Sequence, residues 1–496
     1  MRNMKLALLA GVAVIGSVGL AGSASAQTAV PQGIFGGGST LASKVYRQLF
    51  DCFGVQANAS FPRSTSCTDA NGNLSTTGDV SGLNVQILYA PVGSGAGKKA
   101  LATHLSSNLG TPAASNTVPF TSAALSTYPY PTLHFAGSDD VINQTDVNLY
   151  NTNSGPANFG AILQIPAFST TVTIPFNGKD GAGNALALSS GKLNLTRQAM
   201  CGIFSGHITQ WSNPILTASN GGTPLGSGLI TVVHRSDGSG TTFLTTNALK
   251  AQCAGVFGPN NETDPTPALY EFNYTDRGVA TAQCNVAIPV EGANTINWPD
   301  LVNDQCGQPI APRNSGGGTY VGASGSGGIV STVTATNGAV GYVSPDFVQP
   351  VVPAPTGLQT ASLQSQFDID NNTGLFQDPT PTGAATAMSA ANPNFDSNTI
   401  LNPINWSRQG VVPNPLLPGS YPISGFTWLD FYQCYTAADL ASIQAYLTYH
   451  YSDSVNPVLN ANGFAAVPSN PSNPSWREQV QNLLGTMGNC GVFAGQ

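Results

Sequence analysis

The feature that most constrains the fold is an order that recurs along the chain: an apolar, β-rich run, a glycine-rich turn, then a stretch with helical spacing. Residues 83–89 run through such a turn into residues 98–109, and residues 229–233 run through 235–242 into 243–250. A strand followed by a helix leads back to a neighbouring parallel strand. This order therefore predicts an α/β fold with parallel strands.

The turn at residues 235–242, RSDGSGTT, carries the strongest chemical signal. The first turn of the helix that follows has N–H groups without a partner, and its dipole favours negative charge. Arg235 adds a planar guanidinium that matches a carboxylate or a phosphate. Together these groups predict a site for a small oxyanion.

The first 26 residues have the pattern of a secretory signal peptide. Arg2 and Lys5 precede an apolar run at 6–20, and small residues at 24–26 predict cleavage before Gln27. No later run is apolar for the roughly 18 residues that a membrane helix needs. We expect an exported mature chain, either periplasmic or secreted further, and the sequence leaves that choice open.

Eight cysteines support an oxidising compartment, since their number is even and none forms a C-x-x-C pair. Local spacing favours two disulfides, Cys52 with Cys67 and Cys434 with Cys490. Three connectivities stay open for the remaining four, which are Cys201, Cys253, Cys284 and Cys306. No histidine spacing indicates a metal site.

The composition limits the partners. The formal net charge is −8 and only 8% of residues are charged, against roughly 25% in ordinary proteins. An acidic chain does not attract nucleic acid or anionic membranes, so an anion site must depend on local geometry. The segments 259–331 and 351–420, rich in Pro, Gly, Asn and Thr, are expected to be long loops around the core.

In its glycine-rich turns and several further motifs, the chain resembles the periplasmic phosphate-binding proteins of the PstS family and their DING-type relatives. The matching segments follow the order of the family. They are GGGSTL at 36–41 with the helix after it, the motif around Trp211 at 202–211, VVHRSDGSGT at 232–241, GAVGYV at 338–343, YPIS at 421–424 and the final helices at 437–449 and 475–484.

The resemblance implies a two-lobe, Venus-flytrap fold with the ligand in the cleft between the lobes. Lobe I would comprise residues 27–175 and 421–496, and lobe II residues 176–420. The implied function is binding of inorganic phosphate by a monomer without cofactor or metal. Such a protein delivers phosphate to the membrane permease of an ABC transporter or scavenges it outside the cell.

The resemblance also implies which residues bind phosphate. Backbone N–H groups and hydroxyls would come from the turns after three strands, and an arginine from lobe II. Leu41 stands where the family usually has Phe, and a backbone contact tolerates this change. The set is Thr40, Leu41, Ser94, Asp139, Arg235, Ser239, Gly240 and Thr241.

Asp139 is expected to provide selectivity. An ionised carboxylate only accepts hydrogen bonds, so it favours an anion that still carries a proton, as phosphate does and sulfate does not. Asp237 is expected to orient Arg235 or cap a helix. The glycine-rich segment 314–328 is expected to hold no ligand atoms, and Trp211 and Tyr342 to lie in the core.

Two alternative functions are a secreted DING-like phosphatase and a surface adhesin. An enzyme needs an activated nucleophile, but no G-x-S-x-G elbow occurs, and Ser39, Ser94 and Ser239 have no obvious base in the sequence. We therefore expect a binding protein with no catalytic residues. The low charge and the long polar loops are compatible with an adhesin, and the loops would equally fit a protein that does not dock on a transporter.

Overall fold

The computed structural model describes residues 30–490 apart from 70, 76–77, 126–127, 190, 207, 254–255, 257–295, 299–318, 349–357, 392 and 470–474. The predicted signal peptide, Cys284 and Cys306 lie outside the described residues. Within the described part of the chain, no helix has the length and apolarity needed to cross a bilayer.

The strands are β1 (Gln32–Gly38), β2 (Val85–Pro91), β3 (Phe135–Ser138), β4 (Ile162–Thr171), β5 (Pro175–Phe176), β6 (Asn194–Leu195), β7 (Thr231–Arg235), β8 (Thr319–Ala323), β9 (Ala339–Gly341), β10 (Gln359–Thr360), β11 (Ser362–Leu363), β12 (Ser424–Tyr432) and β13 (Ala465–Ala466).

The helices are α1 (Ser43–Phe53), α2 (Ser94–Thr103), α3 (Gln144–Thr152), α4 (Gly155–Phe159), α5 (Arg197–Ser205), α6 (Pro214–Ser219), α7 (Gly240–Cys253), α8 (Gly325–Ala335), α9 (Gln366–Asp370), α10 (Pro381–Met388), α11 (Pro403–Gln409), α12 (Ala437–His450), α13 (Asn456–Ala461) and α14 (Trp476–Leu484).

The larger sheet has the strand order β13-β4-β12-β3-β1-β2. β1 is parallel to β2 and β3, as the strand–turn–helix order predicts, whereas β12 is antiparallel to β3 and β4. All nine residues of β12 are buried. The C-terminal part of the chain therefore supplies a central strand of a sheet that the N-terminal part begins. We call this sheet and its helices lobe I.

The smaller sheet has the order β10-β5-β9-β7-β8, and β7 lies parallel to both β8 and β9. Since β4 belongs to the larger sheet and β5 to the smaller one, the chain passes between the sheets over residues 171–175. A third, two-stranded sheet pairs β6 with β11. The mixed α/β architecture with two main sheets fits the predicted two-lobe fold. We call the smaller sheet and its helices lobe II.

The boundaries 27–175, 176–420 and 421–496 stay predictions. Two helices bear on the second boundary, since α10 and α11 lie before residue 421 and contact β4 of the larger sheet. They show that the chain has already returned to lobe I before the YPIS segment.

The glycine-rich segment 33–40 is mostly strand, whereas the sequence suggested a turn. β1 extends to Gly38, and the turn follows at 39–42. A Cβ at Gly36 would overlap the Phe135 ring, and one at Gly38, where φ is +139°, would overlap the carbonyl oxygen of Gly137. These glycines permit close packing against β3, which sequence reasoning cannot distinguish from a turn requirement.

Helix α2 begins at Ser94, four residues before the predicted start at residue 98. Two of the glycines that suggested a turn, Gly95 and Gly97, lie inside the helix, whereas Gly93 precedes it. A Cβ at Gly97 would lie 2.6 Å from the Cα of Gly38, so glycine is needed there for contact with β1. The early start places the hydroxyl and N–H of Ser94 at the helix N-terminus.

The expectation of long loops at 259–331 and 351–420 is partly wrong. The first segment ends in β8 and the beginning of α8, and the second contains β10, β11, α9, α10 and α11. Helix α10 buries Gly383, Ala384, Ala387 and Met388. Most residues of this helix are small, so the sequence has no strong apolar period there. Its proline lies in the first turn, where a backbone N–H has no partner within the helix.

The disulfides Cys52–Cys67 and Cys434–Cys490 are both present, which confirms the two local pairings. A third joins Cys201 of α5 to Cys253 of α7 and settles that part of the open connectivity. All three lie outside the candidate site and tie neighbouring elements together. The helices expected at 437–449 and 475–484 are present as α12 and α14.

Candidate functional site

The carboxyl ends of β1, β2, β3 and β7 meet where the two lobes face each other. The turn after β1 carries Thr40 and Leu41, α2 begins with Ser94, Asp139 follows β3, and Arg235 ends β7. The start of α7 adds Ser239, Gly240 and Thr241. The predicted residues are all buried: Thr40, Leu41, Ser94, Asp139, Arg235, Ser239, Gly240 and Thr241. That they bind an anion stays a prediction.

The Ser94 hydroxyl joins the lobes. Its oxygen accepts the N–H of Asp139 at 3.2 Å and the N–H of Gly240 at 3.1 Å. A hydroxyl has two acceptor positions and one proton. Because both acceptor positions are used, the Ser94 hydroxyl can only donate, and a ligand oxygen can accept this hydrogen bond.

Asp139 is a buried carboxyl group with one satisfied oxygen. The Ser39 hydroxyl donates to Oδ2 at 2.5 Å, whereas Oδ1 has no hydrogen-bond partner among the described residues. Burial raises the pKa of Asp139 to about 7, although the Ser39 hydroxyl, Arg235 and the Thr427 hydroxyl oppose the rise. The site thus contains a proton acceptor that changes charge near neutral pH.

Arg235 is held in a fixed direction by Asp237. The Nε of Arg235 donates to Oδ1 of Asp237 at 2.7 Å, and Nη2 donates to Oδ2. The remaining Nη1 lies 3.5 Å from the Thr241 hydroxyl. Burial would raise the pKa of Asp237, but the charge and hydrogen bonds of Arg235 bring it below the ordinary value.

Asp237 orients Arg235, as expected, and its Oδ1 also accepts the N–H of Gly325 at 2.9 Å, at the start of α8 and not of the helix that follows Asp237 in the sequence. Tyr342 supports Arg235 from the other side. Its hydroxyl accepts the backbone N–H of Arg235 at 2.9 Å and pairs with the Thr242 hydroxyl at 2.8 Å. Tyr342 is a core residue, as predicted, and also positions the arginine.

Thr40 and Leu41 occupy the turn before α1. The Thr40 hydroxyl lies 3.1 Å from the Ser326 hydroxyl, and it accepts the Ser326 N–H at 3.3 Å. The N–H of Leu41, which the resemblance assigns to the ligand, donates here to the Ser39 hydroxyl at 3.0 Å. Thr40 therefore contacts lobe II directly, while Leu41 is engaged within lobe I.

Sequence reasoning missed Ser39 and Ser326. The sequence shows no obvious base for Ser39, whereas in the structure its hydroxyl donates a hydrogen bond to the Asp139 carboxylate. The segment 314–328, expected to hold no ligand atoms, runs into α8 at Gly325, and the first turn of this helix contacts Thr40 and Asp237. Its signal was the same kind of glycine–serine helix start as the one at 238–241.

His234 and Trp211 have structural roles. His234 is buried and stacks on Trp298 with ring centroids 5.4 Å apart, so its side chain does not join the site. The indole N–H of Trp211 donates to the carbonyl oxygen of Gly338. Within the described residues, no three His, Cys, Asp or Glu side chains are grouped so that they could hold a metal ion.

Comparison with known proteins agrees with this architecture. The model of the PBP superfamily domain matches residues 22–454. A protein named "Phosphate-binding protein", from an unknown prokaryotic organism, is 29% identical over 417 residues, covering 81% of this chain and 89% of that one. Alkaline phosphatase L of Pseudomonas aeruginosa is 29% identical over 400 residues, covering 80% and 81% of the two chains.

Among solved structures, a phosphate binding protein from Stenotrophomonas maltophilia superposes with a TM-score of 0.57 and 26% identity. The match covers 91% of this chain and 93% of that one. These similarities extend over both sheets and the cleft between them. The chain therefore belongs to the PBP superfamily and has the two-lobe fold that its resemblance to PstS-type and DING-like phosphate-binding proteins implied.

Proposed function

We propose that the protein binds inorganic phosphate between its lobes. The observation that carries this proposal is the pairing of a buried proton acceptor, Asp139, with a fixed guanidinium, Arg235, among hydroxyls and helix N-termini. The phosphate-binding proteins among its relatives and structural neighbours support the same ligand.

The chemistry requires a donor for nearly every phosphate oxygen, because burying an unpaired anion is prohibitive. Arg235 supplies the full positive charge and strong charge-assisted hydrogen bonds. The hydroxyls of Thr40, Ser94, Ser239 and Thr241 supply neutral donors. The free oxygen of Asp139 accepts the proton of hydrogen phosphate.

Calorimetry with phosphate, sulfate and phenyl phosphate tests this function. The wild type should bind phosphate and discriminate against the other two. Arg235→Ala should weaken phosphate binding strongly, whereas Arg408→Ala, an exposed arginine of α11, should not. Absent phosphate binding, or equal effects of the two substitutions, would refute the proposal.

The role in the cell follows from the ligand. We propose an exported monomer that lacks residues 1–26 and delivers phosphate to the permease of an ABC transporter, or scavenges it outside the cell. Expression of the full chain, followed by mass measurement of the exported protein, tests whether residues 1–26 direct export and are removed. Reconstitution with the cognate permease separates delivery from scavenging, because only delivery requires the permease to respond to the loaded protein.

A phosphatase activity is the second candidate, and one contact favours it. The Ser39 hydroxyl is hydrogen-bonded to a carboxylate whose pKa is raised to about 7, as in a nucleophile paired with a base. A relative is also named Alkaline phosphatase L. We place binding first because phosphate-binding proteins are among both the relatives and the solved structures that resemble this chain.

The close approach of the lobes also favours binding over ester hydrolysis. A Cβ on Gly93 would lie 2.7 Å from the carbonyl oxygen of Gly238, so little room remains for an ester group between α2 and the turn before α7. Release of phosphate from p-nitrophenyl phosphate tests the second candidate. Turnover that is abolished in Ser39→Ala would establish an enzyme, and turnover that persists would indicate a contaminant.

A further inference from the structure

The first turn of α8 belongs to lobe II, and it touches lobe I in two places. We call residues 325–328 the closure turn. In the first contact, the Ser326 hydroxyl lies 3.1 Å from the Thr40 hydroxyl, and the Ser326 N–H donates to the same oxygen at 3.3 Å. Both side chains are buried. This pair joins positions 286 residues apart.

The second contact is made by Gly327. A Cβ at this position would overlap the carbonyl oxygen of Ser115 and lie 3.1 Å from the Ser115 carbonyl carbon. Ser115 lies between α2 and β3 and also donates its hydroxyl to the Ser324 carbonyl at 3.3 Å. At the next residue, Gly328, a Cβ would meet nothing closer than 3.5 Å. Of these two neighbours, Gly327 must therefore be a glycine for the lobes to come together here, and Gly328 need not be.

The contact with Ser326 also sets the direction of the Thr40 proton. If Ser326 donates both its N–H and its O–H to the Thr40 oxygen, both acceptor positions of Thr40 are used. The Thr40 hydroxyl can then only donate, which is what an anion requires. The preceding residue, Gly325, donates its N–H to Asp237, which holds Arg235.

We propose that the closure turn holds the cleft shut. Ser326 is a positioning residue for the Thr40 hydroxyl, and Gly327 leaves room for the backbone carbonyl of Ser115. The inference rests on the proposed phosphate binding. Because these contacts exist only when the lobes are together, they determine how slowly phosphate leaves and not how fast it arrives. The same turn aligns one hydroxyl of lobe I and the guanidinium of lobe II.

Two neighbouring glycines provide a matched test. Gly327→Ala and Gly328→Ala make the same chemical change in the same helical turn, and both favour the helix. Only Gly327→Ala should keep the lobes apart. We expect phosphate to dissociate about tenfold faster or more from Gly327→Ala, while Gly328→Ala stays within about twofold of the wild type in stopped-flow measurements.

X-ray scattering at saturating phosphate provides a second readout. Gly327→Ala should retain a larger radius of gyration than Gly328→Ala, although both show the same melting temperature without phosphate. Equal dissociation rates and equal radii for the two variants would overturn the inference. If Gly327→Ala does not fold, the Ser326 variants decide.

Ser326→Ala should speed phosphate release by about three- to tenfold. The control is Ser331→Ala, an exposed serine of α8 whose hydroxyl bonds only to the Gly328 carbonyl of its own helix. Ser326→Ala should have no added effect in a Thr40→Ala background, because it acts through that hydroxyl. Additive effects would contradict the positioning role.

Phosphate binding and the role of the closure turn can be refuted separately. A wild type that binds no phosphate would remove the proposed function. If the wild type binds phosphate, but Gly327→Ala and Ser326→Ala release it no faster than their controls do, the proposed function stands and the role of the closure turn is refuted.

Discussion

The hydroxyl oxygen of Ser94 accepts the backbone N–H of Gly240 at 3.1 Å, across the cleft and 146 residues along the chain. The same oxygen accepts the N–H of Asp139. One side chain of lobe I thus fixes the first residue of a helix in lobe II and the strand end that carries the acidic group. The close approach that this bond needs leaves no room for a side chain at residue 240.

Gly240→Ala should lower phosphate affinity at least about tenfold. A Cβ there would lie 2.6 Å from both the Ser94 hydroxyl and the backbone nitrogen of Asp140, so the lobes must separate. Titration calorimetry measures the loss. Gly238→Ala is the control, since its Cβ would meet nothing closer than the flexible tip of Ile296, at 3.2 Å. Equal affinities in the two variants would contradict this reading of the cleft.

Asp139→Asn should narrow the ratio of phosphate to sulfate affinity. An amide can donate to an unprotonated oxygen, whereas the carboxylate cannot, and leaving a buried acceptor unpaired against sulfate costs about 1–3 kcal/mol. Competition between the two anions measures the ratio directly. Arg235→Ala should instead weaken both anions alike, and an unchanged ratio in Asp139→Asn would remove the selectivity role.

Asp237→Asn should weaken phosphate binding by about 1–3 kcal/mol. Asparagine cannot accept two hydrogen bonds from the guanidinium in parallel, so Arg235 loses its fixed direction. The matched control is Asp453→Asn, which removes the carboxylate of the Arg477–Asp453 pair, where Asp453 is 82% exposed. Binding isotherms of the two variants should differ, and identical isotherms would show that Arg235 needs no such support.

The contribution of Asp346 to the stability of the protein should fall as the pH rises from about 4 to 7. Burial raises the pKa of Asp346 to about 7, against the opposing charge of Lys44 and the Ser344 hydroxyl. An acid with a raised pKa holds its proton in the folded state but not in the unfolded state. Its stabilising contribution is therefore lost through this window, at about 1.4 kcal/mol per pH unit at most.

Asp346→Asn separates this group from Asp139, whose pKa is also raised to about 7. The slope of unfolding free energy against pH, from urea titrations, should be smaller in Asp346→Asn than in the wild type. Carboxylates with lowered pKa values, such as Asp180, titrate below this window. Parallel curves for the two proteins would contradict the assignment.

The positions of Thr40, Ser94, Asp139 and Arg235 are predictable from the sequence, because the resemblance to the PstS family assigns them to one site, each at the end of a strand or shortly after it. Their partners are not. Ser39 on Asp139 and Ser326 on Thr40 are single hydroxyls, paired across 100 and 286 positions. No local pattern identifies such a partner, because tertiary packing selects it.

The fold class was likewise accessible from the order of strands, turns and helices, but some elements were not. Glycines at 33–38 form a strand because Phe135 and the backbone of β3 pack onto them. Helix α10 is built from Ala, Thr and Gly, which give no clear apolar period. In both cases, the close distance to a neighbouring strand decides the structure, and a single sequence does not contain that distance.

The central place of β12 has a consequence for how the chain is made. Strands β3 and β4 are both complete by residue 171, yet the strand that lies between them comes from residues 424–432. Until that segment has emerged during synthesis or translocation, both strands keep open edges of the kind that promote aggregation. Export in an unfolded state would move this exposure to the far side of the membrane, where it would last until residues 424–432 have arrived.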